Sequence, residues 1–250
     1  MINIEKHDDI IELNITRPPV NAFNHDVIRD LREKITHYQS GDENTSAIIL
    51  SGLPGVFTAG LDLPSLIELN QQQMELFWQD FYGLWKAIAL SDIPIVAAIT
   101  GHSPAGGTVL SVFCDYRIMA EGKYKIGLNE VQVGLVAPAP VFKALSRLCG
   151  GRVAERHLLA GDLINPQQAL DIGMVDQLTT LDQVVPEAIK WCRQHLQLPN
   201  SAMLTTRRLA RADVHAIFIE DDDGSDFLKL WFSDETQSVL RTVIAKLGKK

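Results

Sequence analysis

Three cysteines in 250 residues, Cys114, Cys149 and Cys192, are too few and too widely spaced for a disulfide framework or a zinc site. Basic charge is also scarce. The 23 Lys and Arg stand against 31 Asp and Glu, a formal net charge of −8, which excludes whole-surface attraction to nucleic acid or anionic lipid. An anionic ligand must then be met by a few local cations and backbone N–H groups. No apolar run, Ile95–Ile99 included, approaches the roughly 18 residues of a membrane span. Met1-Ile-Asn-Ile-Glu5 lacks the basic-then-apolar layout of a secretion signal. His7, His25, His37, His102, His157, His195 and His215 are scattered without an i, i+4 pair, so no metal site is expected. These absences predict a cytoplasmic protein without a nucleic-acid or membrane partner. What is present is ordinary globular material, 46% hydrophobic and 22% charged, with length for a sizeable core.

The first half alternates between two periodicities. Ile11, Leu13 and Ile15 alternate with Glu12 and Asn14 as in a half-buried strand, which Arg17-Pro-Pro19 stops. Asn24 is placed to cap a helix with Val27, Ile28, Leu31 and Ile35 on one face. Ala47–Leu50 reads as a buried strand, and Ser65 to Ala89 keeps helical spacing throughout. Asp92-Ile-Pro94 ends that helix. Ile95–Ile99 is a second buried strand, Thr108–Phe113 a short helix and Tyr116–Ala120 a third strand. The alternation predicts an α/β fold with one layered core. Beyond Arg152 the pattern turns helical, with helices expected near 201–218 and 226–247. The acidic run Glu220–Gly224 between them reads as a solvated loop. Phe218, Phe227, Leu230, Trp231 and Phe232 crowd that tail, which predicts packing on another subunit.

Two glycine-containing turns carry the chemistry. Gly55-Val-Phe-Thr-Ala-Gly-Leu-Asp-Leu63 and Gly101-His-Ser-Pro-Ala-Gly-Gly107 each follow a buried strand and precede a helix. Side by side they can aim two N–H donors at one oxygen, as an oxyanion hole does. The other reading, two tight connections without a ligand, stays open. Neither turn has the Gly-Lys-Ser/Thr of a phosphate loop or the spacing of a dinucleotide fingerprint. The proline after Ser103 fits poorly in a nucleophile elbow, which argues against a serine hydrolase. Glu130 is the carboxylate of interest. Its neighbours in Ile126-Gly-Leu-Asn-Glu-Val-Gln-Val-Gly134 are aliphatic or small, and burial there raises a carboxyl toward a usable base. An exposed or cation-paired glutamate is the alternative that composition favours.

The segments 55–63, 101–115 and 127–138, with Arg17-Pro-x-x-Asn-Ala22, resemble the crotonase (enoyl-CoA hydratase/isomerase) superfamily over essentially the whole chain. Within it the likeness is strongest to Δ3,Δ2-enoyl-CoA isomerases. Its carriers are Val56–Leu63, Cys114-Asp-Tyr-Arg-Ile118 and Ile126–Glu130. The resemblance implies a right-handed spiral of ββα repeats over residues 1–195. It further implies a helical region over 196–250 that builds a homotrimer or a dimer of trimers. An acyl-CoA thioester would be the substrate, in fatty acid β-oxidation, with no cofactor beyond the coenzyme A it carries. Leu61 and Gly106 would supply the oxyanion N–H groups and Glu130 the base. Asn129 would line the acyl site, and Ala59, Gly60, Leu61, Asp62 and Leu63 would contact coenzyme A. Where hydratases carry a second glutamate, this chain has Val109, which favours isomerisation over hydration. Another crotonase reaction and a non-catalytic acyl-CoA-binding role remain the rival expectations. Asp115 is expected to be structural and Trp78 and Trp85 to be packing or pocket wall. Arg207, Arg208 and Arg211 are expected on a solvated face or against coenzyme A phosphates across a subunit boundary.

Overall fold

The computed structural model describes residues 1–40, 44–218 and 225–247, so the acidic run at 220–224 lies outside the described residues. Its strands are β1 (Ile2–His7), β2 (Ile10–Ile15), β3 (Ala47–Ser51), β4 (Gly55–Val56), β5 (Ile95–Ile99), β6 (Gly101–Pro104), β7 (Tyr116–Ala120), β8 (Ile126–Gly127) and β9 (Gln177–Thr179). One sheet runs β1-β2-β3-β5-β7-β9, parallel except for the β1–β2 hairpin. A second, smaller parallel sheet runs β4-β6-β8. In three successive cycles the chain makes a long strand in the first sheet, a short one in the second, and then a helical segment. This is the expected spiral of ββα units.

The large sheet is covered on both faces, which is why its strands read as continuous apolar runs. Ile48, Leu50, Ile95, Ala97 and Ile99 face the helices His25–Gln39 and Gln71–Ala89. Ala47, Ile49, Val96 and Ala98 face Val184, Ala188 and Cys192 on the helix Val184–Leu196. Burial extends to polar positions of β2, so the expected half-buried alternation fails there. Glu12 is buried and bound by Ser51 Oγ at 2.5 Å and His7 Nε2 at 3.0 Å. The three cysteines are free, and burial pushes the Cys114 and Cys192 thiols up to about 12.

Several expectations need correction. The helix expected over 65–89 is two, Leu63–Leu66 and Gln71–Ala89, because Asn70 and Gln73 form a reciprocal capping box that starts a new helix. β6 occupies half of a segment that reads as a turn, and β9 interrupts a region that reads as helical. The tail helices are also divided, into Asn200–Ala210, Ala212–Ile217, Ser225–Trp231 and Asp234–Leu247. Phe218, Phe227 and Trp231 do not await another subunit. They are buried in this chain, where Phe227 stacks on Trp78 at 4.1 Å and Phe218 meets Phe113 at 5.4 Å; Leu230 and Phe232 are exposed.

Candidate active site

The two glycine turns meet where β4 lies beside β6. The first is held from behind by the Arg17-to-Ala22 segment. Buried Asn21 donates from Nδ2 to the carbonyls of Ile15 (2.8 Å) and Phe57 (3.2 Å), and its Oδ1 accepts the Arg17 N–H (2.8 Å). Thr58 Oγ1 donates to the Asn21 carbonyl (2.7 Å) and accepts the Gly60 N–H (3.0 Å). Arg17 donates to the Ala22 carbonyl and pairs with Asp62 at 2.5 Å. The second turn is held by Thr108, whose Oγ1 donates to the Ser103 carbonyl (2.6 Å) and accepts the Gly127 N–H (2.9 Å). A sequence motif noticed only as a pattern is therefore the frame of the loop.

The turns approach so closely that a side chain at either glycine would crowd its neighbours. A Cβ at Gly60, where φ is +83°, would lie 3.2 Å from the Ala105 Cβ and 3.4 Å from the Gly106 nitrogen. One at Gly106 would lie 3.1 Å from the Phe23 ring. The Phe23 N–H and carbonyl are engaged by Gly60 and Asp62 on either side of Leu61. Gly106 opens the helix Gly106–Val112, where the first N–H has no intrahelical acceptor. Among the described residues neither the Leu61 nor the Gly106 N–H is given to an acceptor. Ala105, just before that helix, is held at φ +45°, ψ −113°, a region that favours glycine.

Both turns open on a cavity of about 200 Å³. Ala59, Leu61, Leu63, Pro104, Ala105, Gly106 and Val109 form one side of it, and Trp78, Phe81, Trp85 and Phe227 form the aromatic end. Asn129, Glu130, Val133, Leu135, Val136, Pro138 and Leu163 complete the wall. Among these lining residues Glu130 is the one ionisable group. It begins a 3-10 turn, Glu130–Val133, that the Gln132 side chain ties to the Gly161 carbonyl at 2.8 Å. The turn leaves through Gly134 at φ +76°, whose carbonyl accepts from Thr236 Oγ1 at 2.7 Å. Glu130 Oε2 and Asn129 Oδ1 are both buried without a hydrogen-bond partner. Burial pushes the Glu130 carboxyl up to about 7, opposed only by its own backbone N–H. The cation-paired alternative is excluded among the described residues. Two adjacent orphan acceptors in an apolar cavity are costly unless a ligand uses them.

Not every expected contact faces the cavity. Gly60 shapes its wall without lining it, and the Asp62 carboxylate turns away to Arg17 and to cap the helix Leu63–Leu66. His102 is exposed, its Nδ1 accepting the Lys125 N–H at 3.2 Å, and it stands outside the wall. Arg207 and Arg211 are not on a fully solvated face. They are buried against Asp115, and Arg211 also donates to the Phe113 carbonyl at 2.7 Å; Arg208 is exposed. A second cavity of about 520 Å³ beside them spends its charges on these pairs. Sequence reasoning missed Phe81, Leu135, Leu163 and Phe227 as wall residues. Of these, Phe81 carried a signal in the helical spacing it shares with Trp78 and Trp85, and Phe227 in the apolar tail.

A family model described as "Enoyl-CoA hydratase/isomerase" matches residues 5–219. Human mitochondrial enoyl-CoA delta isomerase 1 is 32% identical over 94% of this chain and 79% of its own length. A probable enoyl-CoA hydratase of Mycobacterium avium is 31% identical over 82% of this chain and 78% of its own. The crystal structure of human mitochondrial delta3-delta2-enoyl-CoA isomerase superposes with a TM-score of 0.92 at 31% identity, covering 99% of this chain and 98% of that one. With the ββα spiral, the paired glycine turns and a glutamate whose Oε2 is buried in place, the chain belongs to the enoyl-CoA hydratase/isomerase (crotonase) family.

Proposed function

We propose that the protein is a Δ3,Δ2-enoyl-CoA isomerase. The observation that carries this reading is a cavity whose lining holds one titratable side chain, Glu130, in a wall that apart from Asn129 is apolar. The thioester carbonyl of a 3-enoyl-CoA accepts the N–H groups of Leu61 and Gly106. Glu130 takes the proton from C2, the electron pair of that bond moves into the adjacent thioester carbonyl, and a dienolate conjugated with the C3–C4 double bond forms. The two N–H donors stabilise the charge that develops there, an interaction stronger in the transition state than in the ground state. The same carboxyl then returns the proton at C4, leaving a trans-2-enoyl-CoA. One group that takes and returns a proton suffices, and a carboxyl near 7 is matched to both halves of the task.

Hydration needs water activated on one side and carbon protonated on the other. Val109, which lines the cavity, offers no second carboxylate for that. No described helix is long and apolar enough to cross a membrane. A cytoplasmic location, a place in β-oxidation, absence of a separate cofactor, and assembly through residues 196–250 into trimers or hexamers are parts of the same proposal. The test is the rise of conjugated-enoyl absorbance when purified protein meets 3-hexenoyl-CoA. A prompt rise that disappears in Glu130→Gln, with coenzyme A binding retained, is the expected result. Near-normal turnover in that variant would remove Glu130 as the base. Loss of absorbance from a 2-enoyl-CoA would favour hydration, and thioester binding without chemistry would favour the non-catalytic role.

A further inference from the structure

The cavity has a direction. At its mouth Ala59 is exposed, and Leu61, Leu63 and Pro104 are partly so. At its far end Trp78, Phe81, Trp85, Val109 and Phe227 are each no more than 4% exposed. Trp78 meets Trp85 edge-on at 5.3 Å and stacks on Phe227 at 4.1 Å and 18°. Phe227 is backed in turn by Trp231, fully buried at 5.9 Å.

We infer that the Trp78–Phe227 stack is the end stop of the acyl pocket and sets the length of the chain it accepts. The inference rests on the acyl-CoA reading above. A dry cavity of about 150 Å³ takes a six-carbon ring, so about 200 Å³ takes an acyl group of roughly six to eight carbons, the reacting ones included. A longer chain must displace Phe227 from Trp78. Phe227 lies on the short helix Ser225–Trp231, whereas Trp78 is fixed in the long helix Gln71–Ala89. The specificity residue is therefore Phe227, with Trp78 as its anvil.

The test is calorimetric binding of saturated acyl-CoAs from four to fourteen carbons, which needs no turnover. Each methylene that finds a place tightens binding about fourfold, so affinity climbs to about eight carbons and then levels or falls. In Phe227→Ala the break moves to twelve carbons or beyond. Phe227→Leu, a milder change that serves if the alanine variant does not fold, moves it part of the way. Affinity that climbs steadily to fourteen carbons in the wild type, or a break unmoved in both variants, overturns the inference. A break at eight carbons without turnover of 3-hexenoyl-CoA overturns the isomerase reading alone. Turnover with no break overturns the end stop alone.

Discussion

Arg207 grips Asp115 with two nitrogens, Nε at 2.7 Å from Oδ1 and Nη2 at 2.9 Å from Oδ2, across 92 positions of sequence. The same carboxylate accepts the Ile95 N–H at 2.9 Å and lies 3.3 Å from Arg211. One buried acid thus joins the start of β5, the end of the helix Gly106–Val112 and the helix Asn200–Ala210. Burial pushes its carboxyl up, but the Arg211 charge and the Arg207 hydrogen bond together outweigh that and hold it below the ordinary value of 3.8. Asp115→Asn leaves two buried guanidiniums without their counter-charge and should cost about 3–5 kcal/mol by urea unfolding at pH 7. Because the folded value is depressed, the stabilisation is present above about pH 4 and is lost as pH falls below it. The variant should therefore lose less stability than the wild type over that acid range.

Glu130 has the opposite sign. Its carboxyl lies near 7 in the folded protein against 4.5 in a free chain, so folding is penalised as pH rises through that interval and the penalty is complete above 7. Glu130→Gln should match wild-type stability at pH 5 and exceed it by about 2 kcal/mol at pH 8. Unfolding midpoints at the two pH values check this. For the wild type, kcat/KM should rise with pH to a plateau, with a midpoint near 7.

Gly60→Ala tests the paired turns. The added methyl meets the Ala105 Cβ at 3.2 Å and the Pro104 carbonyl at 3.2 Å, at a φ of +83°. Parting the turns separates the Leu61 and Gly106 N–H groups, so kcat should fall about 10²-fold, as for loss of one oxyanion donor. A smaller change in KM would mark the loss as one of the transition state rather than of binding.

Ala105→Gly should stabilise the fold. The alanine occupies φ +45°, ψ −113°, a conformation costing on the order of 1–3 kcal/mol for a residue with a Cβ. Glycine gives back about 0.4–1 kcal/mol through its freer unfolded chain. A net gain of about 1 kcal/mol in denaturant titration is expected.

The large sheet was legible because its inner strands are buried on both faces. Ala47–Leu50 and Ile95–Ile99 have to be continuous apolar runs. The small sheet was not. Gly55-Val56 and Ile126-Gly127 are two residues each, and Gly101-His-Ser-Pro104 carries turn-forming residue types, so their pairing exists only once the larger sheet has aligned them. The helix break at Asn70 was written in the sequence as Asn70-x-x-Gln73, but an unbroken apolar period masked it. At the site, the aliphatic neighbours of Glu130 offered a raised carboxyl as one reading, while composition favoured an exposed or cation-paired glutamate; burial of the carboxyl decides for the first. The ring that closes the cavity was seen and given to the wrong partner. A helical period says that Phe227 is buried and is silent on which surface buries it.

The wall and latch of the cavity, Phe227 and Thr236, follow every described strand in chain order. On the ribosome the sheets and both glycine turns are therefore translated before the cavity can be closed. Until then the nascent chain leaves open the face of Trp78 on which Phe227 stacks. Such a surface is the kind of feature a holding chaperone engages, and it marks the stretch of synthesis in which the protein is most open to aggregation.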